Sequence, residues 1–250
     1  MVYEKEKFIV EYQKMANAAD LNCFSDPAIG ARLHIIAENL DTYGSRFNLT
    51  AITEPQEVLA KHFIDSLFAA KEADAILQTS HSPGNRLLDV GSGAGFPSLP
   101  IAAALPDLPI TALDSTAKKI AYIKDTAEKC GLASFDAICT RAEEAGRKEM
   151  REQFDIVTAR AVARLPVLME LCTPFLRVGG HFIAMKGSAA QEEMEEARHA
   201  ATLLSCELVR ITPYFLPGLK DQRFLLIYRK NSPTSSTYPR NAARIAKKPL

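Results

Sequence analysis

One short stretch, residues 87–97, says more about the fold than any other part of this 250-residue chain. It reads Leu87-Leu88-Asp89-Val90-Gly91-Ser92-Gly93-Ala94-Gly95-Phe96-Pro97. The first four residues are mostly apolar, which is typical of a buried β-strand. Glycine then takes every second position, where the backbone must turn sharply or approach a ligand closely, and the proline suits the first turn of a helix. The stretch therefore predicts strand, loop and helix at the ligand-binding edge of a parallel sheet.

The spacing of the glycines indicates the kind of ligand. A dinucleotide-binding loop carries glycines at positions 1, 3 and 6, whereas Gly91, Gly93 and Gly95 stand at positions 1, 3 and 5. Asp89 lies two residues before the first of them. This arrangement resembles motif I of class I methyltransferases and speaks against a nicotinamide-dependent dehydrogenase. A structural turn in some other α/β protein is the alternative interpretation of the loop taken alone.

A second acid follows the next predicted strand. The apolar residues 110–113 end at Asp114. A carboxylate at this point can accept hydrogen bonds from both ribose hydroxyls of a nucleoside, because it has two acceptor oxygens. It can also cap the helix that follows, and the two roles are compatible.

Short apolar runs alternate with helical patterns from about residue 80 onward. This alternation predicts an α/β fold, a parallel sheet with helices on both faces. The last two strands have no helix between them, so we expect them to pair as an antiparallel hairpin. The predicted strands cover residues 87–90, 110–114, 137–140, 155–159, 182–185, 208–215 and 224–229.

Three segments are predicted along the chain. Residues 1–80 form a helical N-terminal extension, in which Gly44 ends the second helix and Thr53 with Gln56 forms a capping box for the third. Residues 81–230 form the sheet domain. Residues 231–250 form a proline-containing basic tail without an acid. This tail is either disordered and solvated or an arm that contacts phosphates.

The composition excludes some classes of protein. Lys and Arg together number 30, as do Asp and Glu, so the net charge is zero and the chain is not a wholly basic nucleic-acid coat protein. The five cysteines form no CxxC pair, which disfavours a disulfide framework or a zinc site and indicates a reducing compartment. No apolar run is long enough to span a membrane. We expect a cytoplasmic monomer that binds no metal.

Further motifs are spread over nearly the whole chain. They are residues 47–52, 61–67, 88–97, 113–115 with 118–119, 141–143, 154–161, 185–187 and 238–240. In this order they are similar to the RsmG family, also called GidB, the bacterial 16S rRNA guanine-N7 methyltransferases. Small departures are Lys119, where the family often has arginine, and the absence of a glycine soon after Tyr238-Pro239-Arg240.

The resemblance implies a class I (Rossmann-like) sheet of seven strands with a helical N-terminal extension. It implies S-adenosylmethionine (AdoMet) as the cofactor and 16S rRNA, free or in a small-subunit assembly state, as the partner. By motif position it places Gly91, Phe96, Ala142, Glu143 and Arg160 at the cofactor, and the general class I pattern adds Asp89, Gly93 and Asp114. From spacing alone, Glu143 and Glu144 are more simply a solvated helix start.

The implied chemistry needs no general base. Guanine N7 carries an in-plane lone pair and no proton, so the protein must position the acceptor and exclude water. We therefore expect no catalytic residue, and the five histidines are scattered. Arg160 could meet the AdoMet carboxylate or an rRNA phosphate, since its contact with N7 itself would block methylation. The candidate RNA contacts are Arg164, Lys186 and Arg240.

Other interpretations stay open at this point. A methyltransferase for a small molecule would share every cofactor residue, and a non-catalytic AdoMet-binding, RNA-associated protein would share most of them. Asn48, His62 and Asp65 lie in family-like stretches of the extension. They either contact RNA or attach the extension to the sheet, and the sequence does not separate these roles.

Overall fold

Seven strands form one mixed sheet in the computed structural model of the protein, which describes residues 4–47, 49–79 and 84–250. Asn48 and His81 lie outside the described residues. The strands follow one another in the order β3-β2-β1-β4-β5-β7-β6. They are β1 (Leu87–Val90), β2 (Ile110–Asp114), β3 (Phe135–Cys139), β4 (Phe154–Arg160), β5 (Leu176–Lys186), β6 (Cys206–Phe215) and β7 (Gln222–Lys230).

The sheet grows in two directions from β1. β1 pairs in parallel with both β2 and β4, and β4 pairs in parallel with β5. The order of the strands thus reverses between β1 and β4, which is where open α/β sheets bind their ligands. β7 is antiparallel to both β5 and β6. The predicted α/β class and the antiparallel hairpin are confirmed.

Helices cover both faces of the sheet because residues along each strand alternate between two apolar cores. Leu87 and Ile156 belong to one core, whereas Leu88 and Val157 belong to the other. Both cores are closed by helices: α1 (Lys5–Ala18), α2 (Pro27–Phe47), α3 (Pro55–Val58), α4 (Asp65–Thr79), α5 (Ser98–Ala104), α6 (Ala117–Lys129), α7 (Ala142–Ala145), α8 (Leu165–Cys172), α9 (Ala190–Glu196), α10 (Arg198–Leu203) and α11 (Ala242–Lys247).

The extension shares an apolar core with the sheet: α4 contacts β5 and α5, and α2 packs on α5 and α6. Phe8, Leu33 and Phe63 share one apolar core with Leu87 and Ile183 of the strands. The division at residue 80 stays a prediction about the chain's organisation. A short π-helical segment (Leu59–Ile64) precedes α4 and carries residues of the site described below; such segments are frequent at functional sites.

Two predicted helix boundaries are wrong. α2 continues past Gly44 to Phe47, because a single glycine weakens a helix without ending it. The cap of α3 is Glu54, whose Oε2 accepts from the Glu57 backbone N–H at 2.8 Å, one residue after the predicted Thr53. Farther along the chain, Ala197 separates α9 from α10.

The segment after β7 is ordered, so its interpretation as a disordered tail is wrong. β7 ends at Lys230, a fully buried lysine whose Nζ donates to Glu152 Oε1 at 2.8 Å and to the Leu176 carbonyl at 2.7 Å. The chain then continues into α11, whose Ile245 is buried. Among the described residues, no helix is both long and apolar enough to cross a bilayer.

Candidate active site

A cavity of about 420 Å³ opens at the carboxyl ends of β1, β2 and β4. The glycine loop forms one wall, the ends of β2 and β4 form two more, and the extension closes the cavity with Leu49, Thr50 and His62. Seven of the eight predicted cofactor residues line this cavity: Gly91, Gly93, Phe96, Asp114, Ala142, Glu143 and Arg160. The eighth, Asp89, lies beneath the loop.

The three glycines of the loop all have positive φ, at 72°, 59° and 81° for Gly91, Gly93 and Gly95. Side chains are excluded there for different reasons. A Cβ on Gly91 would lie 2.5 Å from Val162 Cγ2, and one on Gly95 would lie 2.3 Å from Leu99 Cδ1. A Cβ on Gly93 would meet nothing closer than 3.9 Å. Gly91 and Gly95 therefore serve close packing as well as backbone conformation.

Asp89 holds the loop in shape from below. Its side chain is fully buried, its Oδ1 accepts from Thr158 Oγ1 at 3.0 Å, and its Oδ2 accepts from the Ser98 backbone N–H at 3.3 Å. Burial raises the pKa of this carboxyl from 3.8 to about 6, against the lowering effect of its hydrogen bonds. Asp89 thus ties β1 to β4 and to the start of α5, and it acts on the cavity through the loop.

Asp114 lies at the cavity and braces the loop at the same time. Its Oδ2 accepts from the Gly93 backbone N–H at 3.0 Å, and its Oδ1 accepts from the Thr116 backbone N–H at 2.8 Å, just before α6. The predicted capping role is wrong: the N-cap of α6 is Thr116, and Asp114 accepts from the backbone N–H of that residue in an Asx turn before the helix. Lys119 Nζ lies 3.8 Å from Oδ2. Each carboxylate oxygen can accept a further hydrogen bond, so the cavity-facing side can also receive hydroxyl groups.

The loop after β3 supplies the opposite wall. Ala142 and Glu143 begin α7, and both line the cavity together with Arg141. Glu144 is exposed and lies outside the cavity lining. The structure therefore separates two neighbouring acids that spacing alone treats alike.

Arg160, at the end of β4, is bound to the extension. Its NH1 donates to Asp65 Oδ2 at 2.9 Å and to the Lys61 carbonyl at 2.7 Å. Asp65 is fully buried and also accepts from Tyr214 Oη at 2.8 Å and from Arg223 NH1 at 3.2 Å. The side chain of Arg160 is 15% exposed and that of Asp65 is fully buried, so this is a buried ion pair.

His62 stands between this ion pair and the cavity. Its ring stacks on the Phe96 ring, with the two centroids 4.6 Å apart. The Arg160 guanidinium also lies over the Phe96 ring, 5.3 Å from its centroid. Burial, and then the charge of Arg160, lowers the pKa of His62 from 6.5 to about 3. The ring is therefore neutral. Its Nδ1 accepts from Arg160 NH2 at 3.3 Å, so Nε2 donates to Thr50 Oγ1 at 2.8 Å.

A second cavity of about 360 Å³ shares Arg160, Ala161 and Val162 with the first. Ala161 has a φ of 56°, an unfavourable conformation for a residue with a Cβ. Strained backbone of this kind clusters at functional sites. Lys186, at the end of β5, lines the far side of this second cavity with Glu193.

The three candidate RNA contacts all have carboxylate partners. Arg164 NH2 lies 2.7 Å from both Glu192 and Glu196, and Lys186 Nζ lies 2.7 Å from Glu193. Arg240 binds fully buried Glu170 with its backbone N–H at 2.7 Å and its NH2 at 2.6 Å. Arg164 and Lys186 lie at the second cavity, whereas Arg240 lies outside both cavity linings and fixes the C-terminal segment to α8.

Several residues of the site were not predicted individually from the sequence. Thr50, Val162 and Thr158 contact other site residues only because the fold brings distant segments together. Asp65 is separated from Arg223 by 158 residues and from Tyr214 by 149. His62 and Asp65 were noticed in the sequence, and the structure assigns both to the junction of the extension with the sheet.

Comparison with known proteins identifies the family of this chain. A family model described as rRNA small subunit methyltransferase G, GidB, matches residues 30–220. The chain belongs to this family. A relative from Desulfitobacterium hafniense (strain Y51), named ribosomal RNA small subunit methyltransferase G, is 41% identical over 220 residues, which cover 88% of either chain. A relative of the same name from Streptococcus pyogenes serotype M12 is 44% identical and covers 85% of this chain and 91% of its own.

Solved structures agree on the fold. The YcgJ protein from Bacillus subtilis aligns with a TM-score of 0.50 at 15% identity, over 68% of this chain and 100% of its own. A protein from the structural study of thioacetal formation in echinomycin biosynthesis aligns with a TM-score of 0.51 at 17% identity, over 68% and 84%. At these identities the two likenesses show a shared α/β fold and nothing about the reaction or the acceptor.

Proposed function

We propose that the protein transfers the methyl group of AdoMet to N7 of a guanine in 16S rRNA. One observation carries the proposal: the glycine loop and Asp114 line one cavity in a member of the rRNA small subunit methyltransferase G family. The family membership supports ribosomal RNA of the small subunit as the partner. Activity in the cytoplasm and a monomeric state stay predictions from the sequence.

The residues present suit AdoMet. The positive φ of Gly91 and Gly93 lets backbone, not side chains, face the cavity, and its volume lies within the range of about 300–1,000 Å³ that is usual for ligand pockets. Asp114 would accept hydrogen bonds from the ribose hydroxyls, while Ala142 and Glu143 would flank the adenine. When bound, AdoMet supplies a methyl group already activated on a positively charged sulfur.

The second cavity supports a place for the acceptor base. It adjoins the first cavity and shares Arg160, Ala161 and Val162 with it, so a base bound there would lie beside the first cavity. A paired guanine in A-form RNA hides N7 in a deep, narrow groove. The substrate guanine is therefore unpaired or unstacked when it enters.

The residues around the cavity favour positioning over proton transfer. Guanine N7 has no proton to lose, and His62 is neutral with a hydrogen bond at each ring nitrogen. The buried ion pair with Asp65 fixes the position of the Arg160 side chain, which lines both cavities. Holding the acceptor in line with the methyl group can supply about 7–11 kcal/mol in favourable systems.

Methyl transfer from labelled AdoMet tests this function. Unmethylated 16S rRNA and small ribosomal subunits are offered separately, with fully methylated particles as the control. We expect one equivalent of label, mapped to N7 of one guanine. Label on another atom, or transfer only to small molecules, would refute the proposed acceptor.

A further inference from the structure

Three cations of the C-terminal segment differ from every cation proposed above as an RNA contact. Arg244, Lys247 and Lys248 are exposed, and no carboxylate among the described residues lies within 4 Å of them. By contrast, Arg164, Lys186 and Arg240 are each paired with a glutamate. A cation paired with a glutamate must break that ion pair before it binds a phosphate. A cation without a carboxylate partner has no such pair to break.

These cations form one face. Arg244 and Lys247 are spaced i, i+3, which places them on the same side of the helix, and the backbone N–H of Lys248 donates to the Arg244 carbonyl at 3.0 Å, which keeps Lys248 next to them. Arg244 and Lys247 belong to α11, and Lys248 caps it. Ile245 is buried and turns toward the protein. Residues 231–250 contain no acid, so the positive potential of this face is not offset within its own segment.

The segment that carries this face is held by many hydrogen bonds. Arg151 donates to the carbonyls of Thr234, Ser235 and Tyr238, and Arg147 Nε donates to the Pro239 carbonyl at 2.6 Å. Glu152 accepts from the Thr234 backbone N–H. Just before α11 in the chain, the guanidinium of Arg240 makes a bidentate contact with the carboxylate of Glu170.

These anchors lie next to the cofactor cavity. Glu170 precedes Leu171, which lines the cavity, and Arg147 follows α7, whose Ala142 lines it as well. Tyr238 and Leu250 pack against the apolar core that contains Ala142 and Ala145. The basic face is thus fixed to the two helices, α7 and α8, that support one side of the active site.

We infer that residues 231–250 form a preordered docking arm for the RNA backbone, with Arg244, Lys247 and Lys248 as the phosphate-binding face and Arg240 as an anchor. The inference rests on the proposed function, since it takes RNA as the substrate. It revises the role of Arg240, which positions the arm and does not itself meet a phosphate. Because the anchors fix the face beside the cavity, phosphate contacts there set the register of the RNA while base contacts specify the guanine.

The triple variant Arg244→Ala, Lys247→Ala, Lys248→Ala tests the face. Its three side chains are exposed, so we expect wild-type folding and an unchanged affinity for AdoMet by calorimetry. Affinity for unmethylated 16S rRNA should fall about tenfold to a hundredfold at 0.1 M salt. The slope of log affinity against log salt should flatten by about 2 to 3, because each phosphate contact contributes about 0.7 to 0.9.

A matched control removes three exposed lysines from the extension, in Lys5→Ala, Lys14→Ala, Lys71→Ala. It changes the net charge by the same amount. We expect its affinity for RNA to stay within about twofold of the wild-type value. The slope of log affinity against log salt should change by less than about 0.5. Equal effects of the two triple variants would overturn the inference, because net charge alone would then explain RNA binding.

Glu170→Gln tests preordering separately. It makes the protein one unit more positive but removes the charged partner of Arg240. An arm that acts only through its charge would bind RNA more tightly in this variant, whereas a preordered arm binds RNA more weakly and its tail is cleaved faster by trypsin. Tighter binding would refute preordering. Should the variant fail to fold, the two triple variants still decide the location of the face.

The wild-type protein separates this inference from the proposed function. If it transfers no methyl group to 16S rRNA or small subunits, the proposed function fails. If it does so, and the Arg244, Lys247, Lys248 variant has the same KM for RNA, the docking arm alone fails.

Discussion

Asp65 and Arg160 form a buried ion pair, 2.9 Å from Oδ2 to NH1, that joins the N-terminal helices to the end of β4. The same carboxylate accepts from Tyr214 of β6 and from Arg223 of β7. One fully buried side chain thus connects four segments at the wall shared by the two cavities. This explains why the extension is part of the active site: without Asp65, two guanidinium groups would face each other there.

Replacing Asp65 with alanine should strongly destabilise the protein. Removal of one partner of a buried ion pair leaves uncompensated charge and typically costs about 3–5 kcal/mol. We expect a loss of this size in the free energy of unfolding, measured by urea denaturation. Tyr214→Phe, which removes only one hydrogen bond to the same carboxylate, should cost about 1 kcal/mol. A loss below that figure for Asp65→Ala would mean that the pair contributes little.

The fold, the glycine loop and Asp114 could be predicted because their signals in the sequence are local. Apolar periodicity located the strands, the loop at residues 91–95 follows β1 directly, and Asp114 is the last residue of β2. The carboxyl ends of parallel strands meet at one edge, so these residues had to converge. The predicted break at Gly44 failed because packing of α2 against α1, α5 and α6 outweighs the small helix cost of one glycine.

The charge pairing could not be predicted. Arg164 and Lys186 lie at the rim of the second cavity, as candidate RNA contacts should, but their glutamates come from α9, and no spacing rule links these positions. Asp65 meets Arg160 across 95 residues and Arg223 across 158. Contacts of this kind depend on the closed tertiary structure, which a pattern in the sequence does not record.

Asp89→Asn should remove a pH-dependent cost of folding. The folded-state pKa of about 6 lies above the ordinary value of 3.8, so the folded state binds more protons between these values. The contribution of Asp89 to stability therefore falls as pH rises from about 4 to 6, and the cost is complete above pH 6. It amounts to about 3 kcal/mol for a shift of this size.

The asparagine variant keeps the shape of Asp89 and can still accept from the Ser98 backbone N–H. We expect it to be at least as stable as wild type at pH 7.5, with the advantage vanishing below about pH 4. Guanidinium denaturation at several pH values measures this. A variant that is less stable than wild type at pH 7.5 would show that the ionised carboxylate holds the loop by more than its shape.

Alanine at Gly91 should damage the cofactor site more than alanine at Gly93. Both residues have positive φ, which costs a non-glycine residue about 1–2 kcal/mol. Only at Gly91 would the new Cβ also clash, at 2.5 Å from Val162 Cγ2. We expect Gly91→Ala to lose at least about tenfold more AdoMet affinity than Gly93→Ala, equivalent to about 1.4 kcal/mol, as measured by calorimetry.

Val162→Ala, combined with Gly91→Ala, tests whether the clash with Val162 causes the loss of affinity. In the double variant with Gly91→Ala it should restore part of the lost affinity, because the side chain that blocks the new Cβ is gone. Val162→Ala alone should have little effect on AdoMet binding. An absence of restoration would assign the whole defect of Gly91→Ala to backbone conformation.

His62→Phe should preserve most of the methyl-transfer activity. The phenylalanine ring can stack on Phe96 as the imidazole does, but it cannot accept or donate a proton. His62 is neutral throughout the physiological range, with a pKa of about 3. We therefore expect the rate of a single turnover to fall less than about tenfold, whereas removal of a general base costs about 10²–10⁴-fold.

The pH dependence of the rate decides between the two cases. The wild-type and variant profiles should be parallel from pH 6 to 8, since no ionisation of His62 falls in that range. A large loss, together with the disappearance of an ionisation near pH 6.5, would instead make His62 a general base and would contradict methylation at an atom that carries no proton.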